Sequence, residues 1–161
     1  MAEKIAETYY RTALERIVDA GLLNKEGHYS YAMHTSGLAV ECLLRAFRTL
    51  KGASFDERHD LWRLWKGTTL AEIRYETSHA QIHQALITIS RLWNNGFRFM
   101  SQKEMQAFLK NAGQDRGIKG DFLKYRSQEL HEAADELIRI GDKRWKQLKK
   151  SKISAEARLS R

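Results

Sequence analysis

The stretch HTSGLAVECLLRAF, residues 34–47, decides the fold. Leu38, Cys42 and Ala46 repeat at helical spacing, and Val40, Leu43, Leu44, Phe47 and Leu50 widen the apolar surface around them. A helix apolar over so much of its circumference belongs inside a bundle. One carboxylate, Glu41, interrupts the run. Arg45 and Arg48 follow it at i+4 and i+7, and His34 precedes it by seven residues, so the four make one polar stripe. Two explanations stand. Either the stripe faces solvent and Glu41 with Arg45 is a surface pair of small value, or it is partly buried and Glu41 needs a cation. Arg74 and Arg98 are candidate partners from other helices.

Outward from this stretch the helical spacing continues. There is no proline, so glycine does most of the punctuation, at Gly21, Gly27, Gly52, Gly67, Gly96 and the cluster Gly113, Gly117 and Gly120. Helices are predicted at about 2–22, 29–51, 56–66, 69–95, 102–112 and 121–149. Ser101 followed by Glu104 has the pattern of a capping box. Asp56 and Asp121 are candidate helix starts. Period-two alternation is missing, so no sheet is predicted. The fold class is therefore all-α: a single-domain bundle of four long helices plus one or two short ones. The bundle is placed at 1–149, followed by a basic, disordered tail at 150–161.

Composition narrows the function classes. At 161 residues the chain reads as one domain. No run approaches the roughly 18 apolar residues of a membrane span, and the opening MAEKIAETYYRTALERI is too charged for a signal peptide. The single cysteine, Cys42, excludes an internal disulfide and argues against a cysteine-rich metal site. The expected compartment is the cytoplasm, with no membrane partner. His79 and His83 are i and i+4, but HAQIH lacks the acid of a zinc-protease helix, and no metal is expected. Glycine never forms a dinucleotide fingerprint or a P-loop, and no cofactor is expected. Cys42 reads as a small buried hydrophobe, and Trp62, Trp65, Trp93 and Phe97 read more readily as core than as base-stacking platforms.

The net charge of +8 is concentrated at one end. Residues 139–161 contain nine Lys or Arg and only two acids, Asp142 and Glu156, which leaves the rest of the chain near neutral. Lys143, Arg144, Lys146, Lys149 and Lys150 surround Trp145 and are the candidate nucleic-acid-binding residues, since such a cluster attracts phosphate. A solubilising tail is the plainer account. Trp145 either docks the last turns on the bundle or stands exposed among the lysines.

GLAVECLLRAF, preceded by HYSYAMHTS and followed by RHDLWRLW at 58–65, resembles the HEPN family. Ala39 to Ala46 matches its second-helix segment, and His59, Asp60, Leu61 and Leu64 match the His-Asp-Leu segment that opens the next helix. SRLWNNGFRF at 90–99 is similar to a Trp then Arg-Tyr element of some members, with Arg98 retained and Phe99 in place of Tyr. The resemblance covers roughly residues 1–112. It implies a helical bundle that often dimerises, and it gives Glu41, Arg98, His59 and Asp60 the standing of structural motif residues. It also implies that Glu41 is partly buried and paired, with Arg45 or with an Arg of another helix.

Many members of that family are metal-independent endoribonucleases of defence and toxin–antitoxin systems. They use an Arg and, four to six residues on, a His near a helix start. The His serves as base on the RNA 2′-hydroxyl and the Arg steadies the phosphate. Arg126-Ser-Gln-Glu-Leu-His131 fits this spacing, and Arg74-Tyr-Glu-Thr-Ser-His79 fits it as a weaker alternative. In a chain with this many arginines and histidines the spacing alone is weakly specific. Ser127 supplies the small polar residue that usually follows the Arg, and Tyr75 does not. The resemblance thus implies RNA as partner, a homodimer, and a nucleotidyltransferase antitoxin as a further partner. The alternative is a non-catalytic HEPN module binding a nucleotide, a nucleic acid or a partner protein. A plain helical interaction protein is a third.

Overall fold

A computed structural model of the chain describes residues 1–53, 59–72 and 77–159. All its regular elements are helical. They are α1 (Ala2–Lys25), α2 (Tyr29–Leu50), α3 (Leu61–Lys66), a 3-10 turn at Thr69–Glu72, α4 (Thr77–Leu92), a second 3-10 turn at Asn95–Phe99, α5 (Gln102–Asn111) and α6 (Phe122–Leu159). Four are long and two short, and no strand occurs among the described residues.

α2 is the central helix. It packs along α1 and against α6, α3 and the second 3-10 turn. The cause is the apolar run itself: Ala39, Val40, Leu43, Leu44, Ala46 and Phe47 are all fully buried. Small residues set the helix spacing. A Cβ on Gly37 would stand 2.1 Å from Trp93, and one on Gly141 would stand 2.5 Å from Leu43. Trp93 also donates from its indole nitrogen to the His34 carbonyl, 3.2 Å away. α4 packs on α6, and α6 returns across α1 and α2.

Local signals fix several ends. Ser101 and Glu104 form the expected capping box, each accepting from the other's backbone N–H. Asp60 caps α3 by accepting from the Arg63 backbone N–H at 3.1 Å, and Asp121 accepts from that of Lys124 at 3.0 Å. Asp56, the cap expected for the third helix, lies outside the described residues. Gly27 turns the chain from α1 to α2 at φ +79°, a conformation that favours glycine.

The boundaries differ from expectation in four places. The third helix, expected over 56–66, begins at Leu61, because Asp60 caps it and His59 and Asp60 stand outside it. Gly21 does not end α1, which runs on to Lys25. The spacing predicts a single helix over 69–95, but a 3-10 turn occupies Thr69–Glu72 and α4 stops at Leu92. Asn94 explains that stop: its backbone is extended and its side chain accepts from the Gly96 backbone N–H at 2.7 Å. Composition suggested disorder after residue 149, yet the helix continues to Leu159. Alanines 155 and 157 favour helix, no glycine or proline interrupts, and Lys152 pairs with Glu3 on α1.

Trp145 anchors that long helix. It is 2% exposed, stacks on Tyr10 at 4.6 Å with an interplanar angle of 8°, and meets Phe47 edge-on at 5.4 Å. Of the two sequence-level alternatives, the docking residue is the one observed. No described helix is long and apolar enough to cross a membrane.

Candidate functional site

Glu41 sits at the centre of a small polar network inside the apolar bundle. It is 3% exposed. Its carboxylate accepts from Arg45 Nε at 2.9 Å, one helical turn on. His59, just before α3, places Nδ1 2.8 and 2.9 Å from the two carboxylate oxygens. The polar stripe of α2 is thus covered rather than solvated at this level, where α3 packs on α2 and His59 meets Glu41. A carboxylate so placed needs these donors, since an unpaired one carries a large desolvation penalty. His59 itself stays open, with its side chain 38% exposed. Arg45 is one of the partners expected for Glu41, and His59 is a second that was not expected. The signal was present, for the same resemblance singled out both Glu41 and the His-Asp-Leu segment.

Arg98 is not Glu41's partner among the described contacts. It is exposed and its guanidinium lies 4.6 Å from the centre of the Phe99 ring, itself strongly exposed. Arg98 still influences the stripe. His34 is half-buried, its Nδ1 buried without a hydrogen-bond partner. Burial, then the nearby Arg98, hold the His34 imidazole below its ordinary value, against an opposing pull from Glu41. Burial, with Glu41 adding to it, pushes the Cys42 thiol up to about 11, so it is not a reactive thiolate.

Arg126 and His131 share α6 but engage different neighbours. The Arg126 side chain is 12% exposed. Its Nε donates to the Gln114 carbonyl at 2.7 Å and its Nη1 to Glu129 at 2.6 Å, where Arg91 also binds. His131 turns instead toward α1 and α2. Its Nδ1 is 3.5 Å from Ser36 Oγ, and its Nε2 lies 3.3 Å from where a Cβ on Gly21 would stand. Five residues at about 100° each separate the two side chains by roughly 140° around the helix. Burial holds His131 below the ordinary imidazole value, opposed by Asp135 and Glu132. Ser127 is fully buried and donates to the Asn24 side-chain oxygen at 2.6 Å, with the Tyr29 carbonyl at 3.2 Å, so this small polar residue ties α6 to the α1–α2 turn.

Arg74 lies outside the described residues, so the weaker pair is placed only at His79. His79 and His83 pack beside Trp65 and Trp62, with His83 5.0 Å from Trp62 and His79 5.4 Å from Trp65 between ring centres. Trp65, Trp93 and Phe97 are buried and Trp62 is partly so. On the basic end, Lys143, Lys146 and Lys150 are exposed while Arg144 and Lys149 are half-buried. Lys146 pairs with Asp142 and Lys149 with Glu7.

No curated protein and no solved structure matches the chain. A family model described as the HEPN domain does match it, over residues 6–145. That span runs from α1 through Trp145, and it takes in α2, Glu41, His59, Asp60 and most of α6. The chain therefore belongs to the HEPN family.

Proposed function

We propose that this protein acts on RNA, as a metal-independent endoribonuclease of a defence or toxin–antitoxin system. The family supplies the class, a ribonuclease or nucleotide-binding module. The single observation that supports an RNA-directed role best is the basic end of α6. Trp145 is clamped by Tyr10 and Phe47, and the helix runs on past it, so the lysines stand on a rod at 1.5 Å per residue rather than on a tail. Lys143 and Lys150 make no ion pair among the described residues, which leaves their charge for phosphate. Lys146, Lys149 and Lys152 trade with acids in solvent-accessible pairs worth little, which a polyanion displaces readily.

In this reading Arg126 steadies the phosphate and His131 takes the proton from a ribose 2′-hydroxyl, with Arg74 and His79 as the weaker alternative pair. Burial keeps the His131 imidazole neutral, and so proton-accepting, near neutral pH. Because Arg126 and His131 diverge around one helix, the reading needs a homodimer, in which residues of two copies meet. The site of action is the cytoplasm, and a nucleotidyltransferase serves as antitoxin.

The second reading is a non-catalytic module that binds a nucleotide, a nucleic acid or a partner protein. What favours it is the engagement of Arg126 by Glu129 and the Gln114 carbonyl, which a catalytic role requires it to leave. Cleavage of single-stranded RNA in EDTA, compared between wild type, His131→Ala and His79→Ala, separates the two. Loss in His131→Ala alone supports the first pair. Loss in His79→Ala alone supports the other. RNA binding that weakens steeply with salt, with no cleavage, supports the module.

A further inference from the structure

The Glu41–His59 contact has the form of an oriented base. Glu41 is buried, held on its own helix by Arg45, and both its oxygens lie within 3 Å of one ring nitrogen of His59. A carboxylate accepts only, so Nδ1 is the donor, and in the neutral ring Nε2 carries the lone pair. No contact occupies Nε2 among the described residues, and the side chain is 38% exposed. Asp60 fixes the backbone directly after His59 by capping α3. Imidazole orientation therefore comes from two anchors, a carboxylate below and a helix start beside it. Lys66 is exposed on that short helix and adds a positive charge.

From this geometry we infer that His59, oriented by Glu41, is an acid–base residue acting on a ribose 2′-hydroxyl next to a phosphodiester. The inference rests on the RNA-directed reading, but it puts His59 in the place of His131 as the group that takes the proton, outside both Arg/His pairs. His59 Nε2 takes the 2′-hydroxyl proton, and the 2′-oxygen forms a bond to the adjacent phosphorus. The bond from phosphorus to the 5′-oxygen breaks, and that oxygen leaves with a proton from water. The products are a 2′,3′-cyclic phosphate and a 5′-hydroxyl end, with no oxidant, reductant or metal consumed. The imidazolium then returns its proton to solvent. Glu41 stabilises the imidazolium while it exists, as a buried carboxylate does for a catalytic histidine in hydrolases. Arg45 holds the carboxylate in place from its own helix, with Nε 2.9 Å from the Glu41 oxygen.

A clip between α2 and the start of α3 is the competing account of the same contact. His59→Gln tells them apart, since a glutamine amide can still donate to Glu41 but has no lone pair of useful basicity. Wild type, His59→Gln, His59→Ala and His131→Ala are assayed on single-stranded RNA in EDTA. Thermal unfolding and RNA gel shift are recorded for each, and product ends are identified. The expected result is a folded His59→Gln that binds RNA as wild type does and cleaves about 10²–10⁴-fold more slowly. Added imidazole restores cleavage to His59→Ala, which no structural clip explains. Undiminished cleavage by His59→Gln overturns the inference, whatever His131→Ala does. Wild type that binds RNA without cleaving it also overturns the inference and leaves the RNA-directed reading standing. Wild type that neither binds nor cleaves overturns both.

Discussion

Trp93 lies across Gly37 so closely that a Cβ at that position would stand 2.1 Å from indole Cδ1. No real side chain sits so near, so Gly37→Ala forces the indole to move and breaks its hydrogen bond to the His34 carbonyl. Overpacking costs about 1–3 kcal/mol. Alanine returns only about 1 kcal/mol of helix propensity over glycine. Gly37→Ala is therefore expected to destabilise the protein, measured as a lower urea midpoint at unchanged slope. Gly21→Ala is the control: its Cβ would stand 3.3 Å from the His131 ring, which can shift by a few tenths of an ångström. Its stability is expected to stay within about 1 kcal/mol of wild type.

Removing the Glu41 carboxylate leaves Arg45 buried without that partner and frees the His59 ring. Breaking a buried pair from one side costs about 3–5 kcal/mol. Glu41→Ala is expected to lose that much by chemical denaturation. A loss below about 1 kcal/mol would contradict the buried network.

Trp145 holds the far half of α6 to α1 through the Tyr10 stack, and Tyr10 in turn donates to Asp142. Trp145→Ala is expected to cost about 3–5 kcal/mol. Amide exchange should rise most beyond residue 145, where the remaining ties to α1 are exposed pairs such as Lys152–Glu3. Uniform exchange along α6 in the variant would show that the anchor lies elsewhere.

Stability is expected to fall in mild acid. His34 and His131 are both held below the ordinary imidazole value, mainly by burial. The unfolded chain then binds protons that the folded chain resists, so unfolding free energy rises with pH across this range. The contribution is complete above the unfolded value of about 6.5 and is lost as pH falls through that value toward the lower folded ones. Urea unfolding between about pH 5 and 7.5 measures it. The double variant His34→Gln, His131→Gln should flatten that dependence, and an unchanged slope would place its origin in other groups.

The bundle was legible because its causes are local. The apolar circumference of 38–50 can only be buried, Ser101 and Glu104 cap each other three residues apart, and the absence of proline lets helices run. Ends were harder to read. Asn94 stops α4 through a side-chain contact to Gly96 that competes with the helix, and apolar spacing passes over it. Lys152 helps hold the last turns through Glu3, a partner 149 residues away in sequence.

The sequence by itself determined that this chain is an all-helical HEPN protein with a positively charged end, since period, composition and motif all act over short range. Only the tertiary structure decided what the polar groups do. Glu41 is a buried acceptor, met by Arg45 from its own helix and by His59 from the residue pair before α3. Gly37 and Gly141 are contact points, not breaks, because Trp93 and Leu43 need the room. Arg126 and His131 match a spacing on paper, yet five residues of helix turn them toward different neighbours. Spacing along a chain fixes an angle on a helix, whereas a partner across the bundle is fixed only when the helices pack.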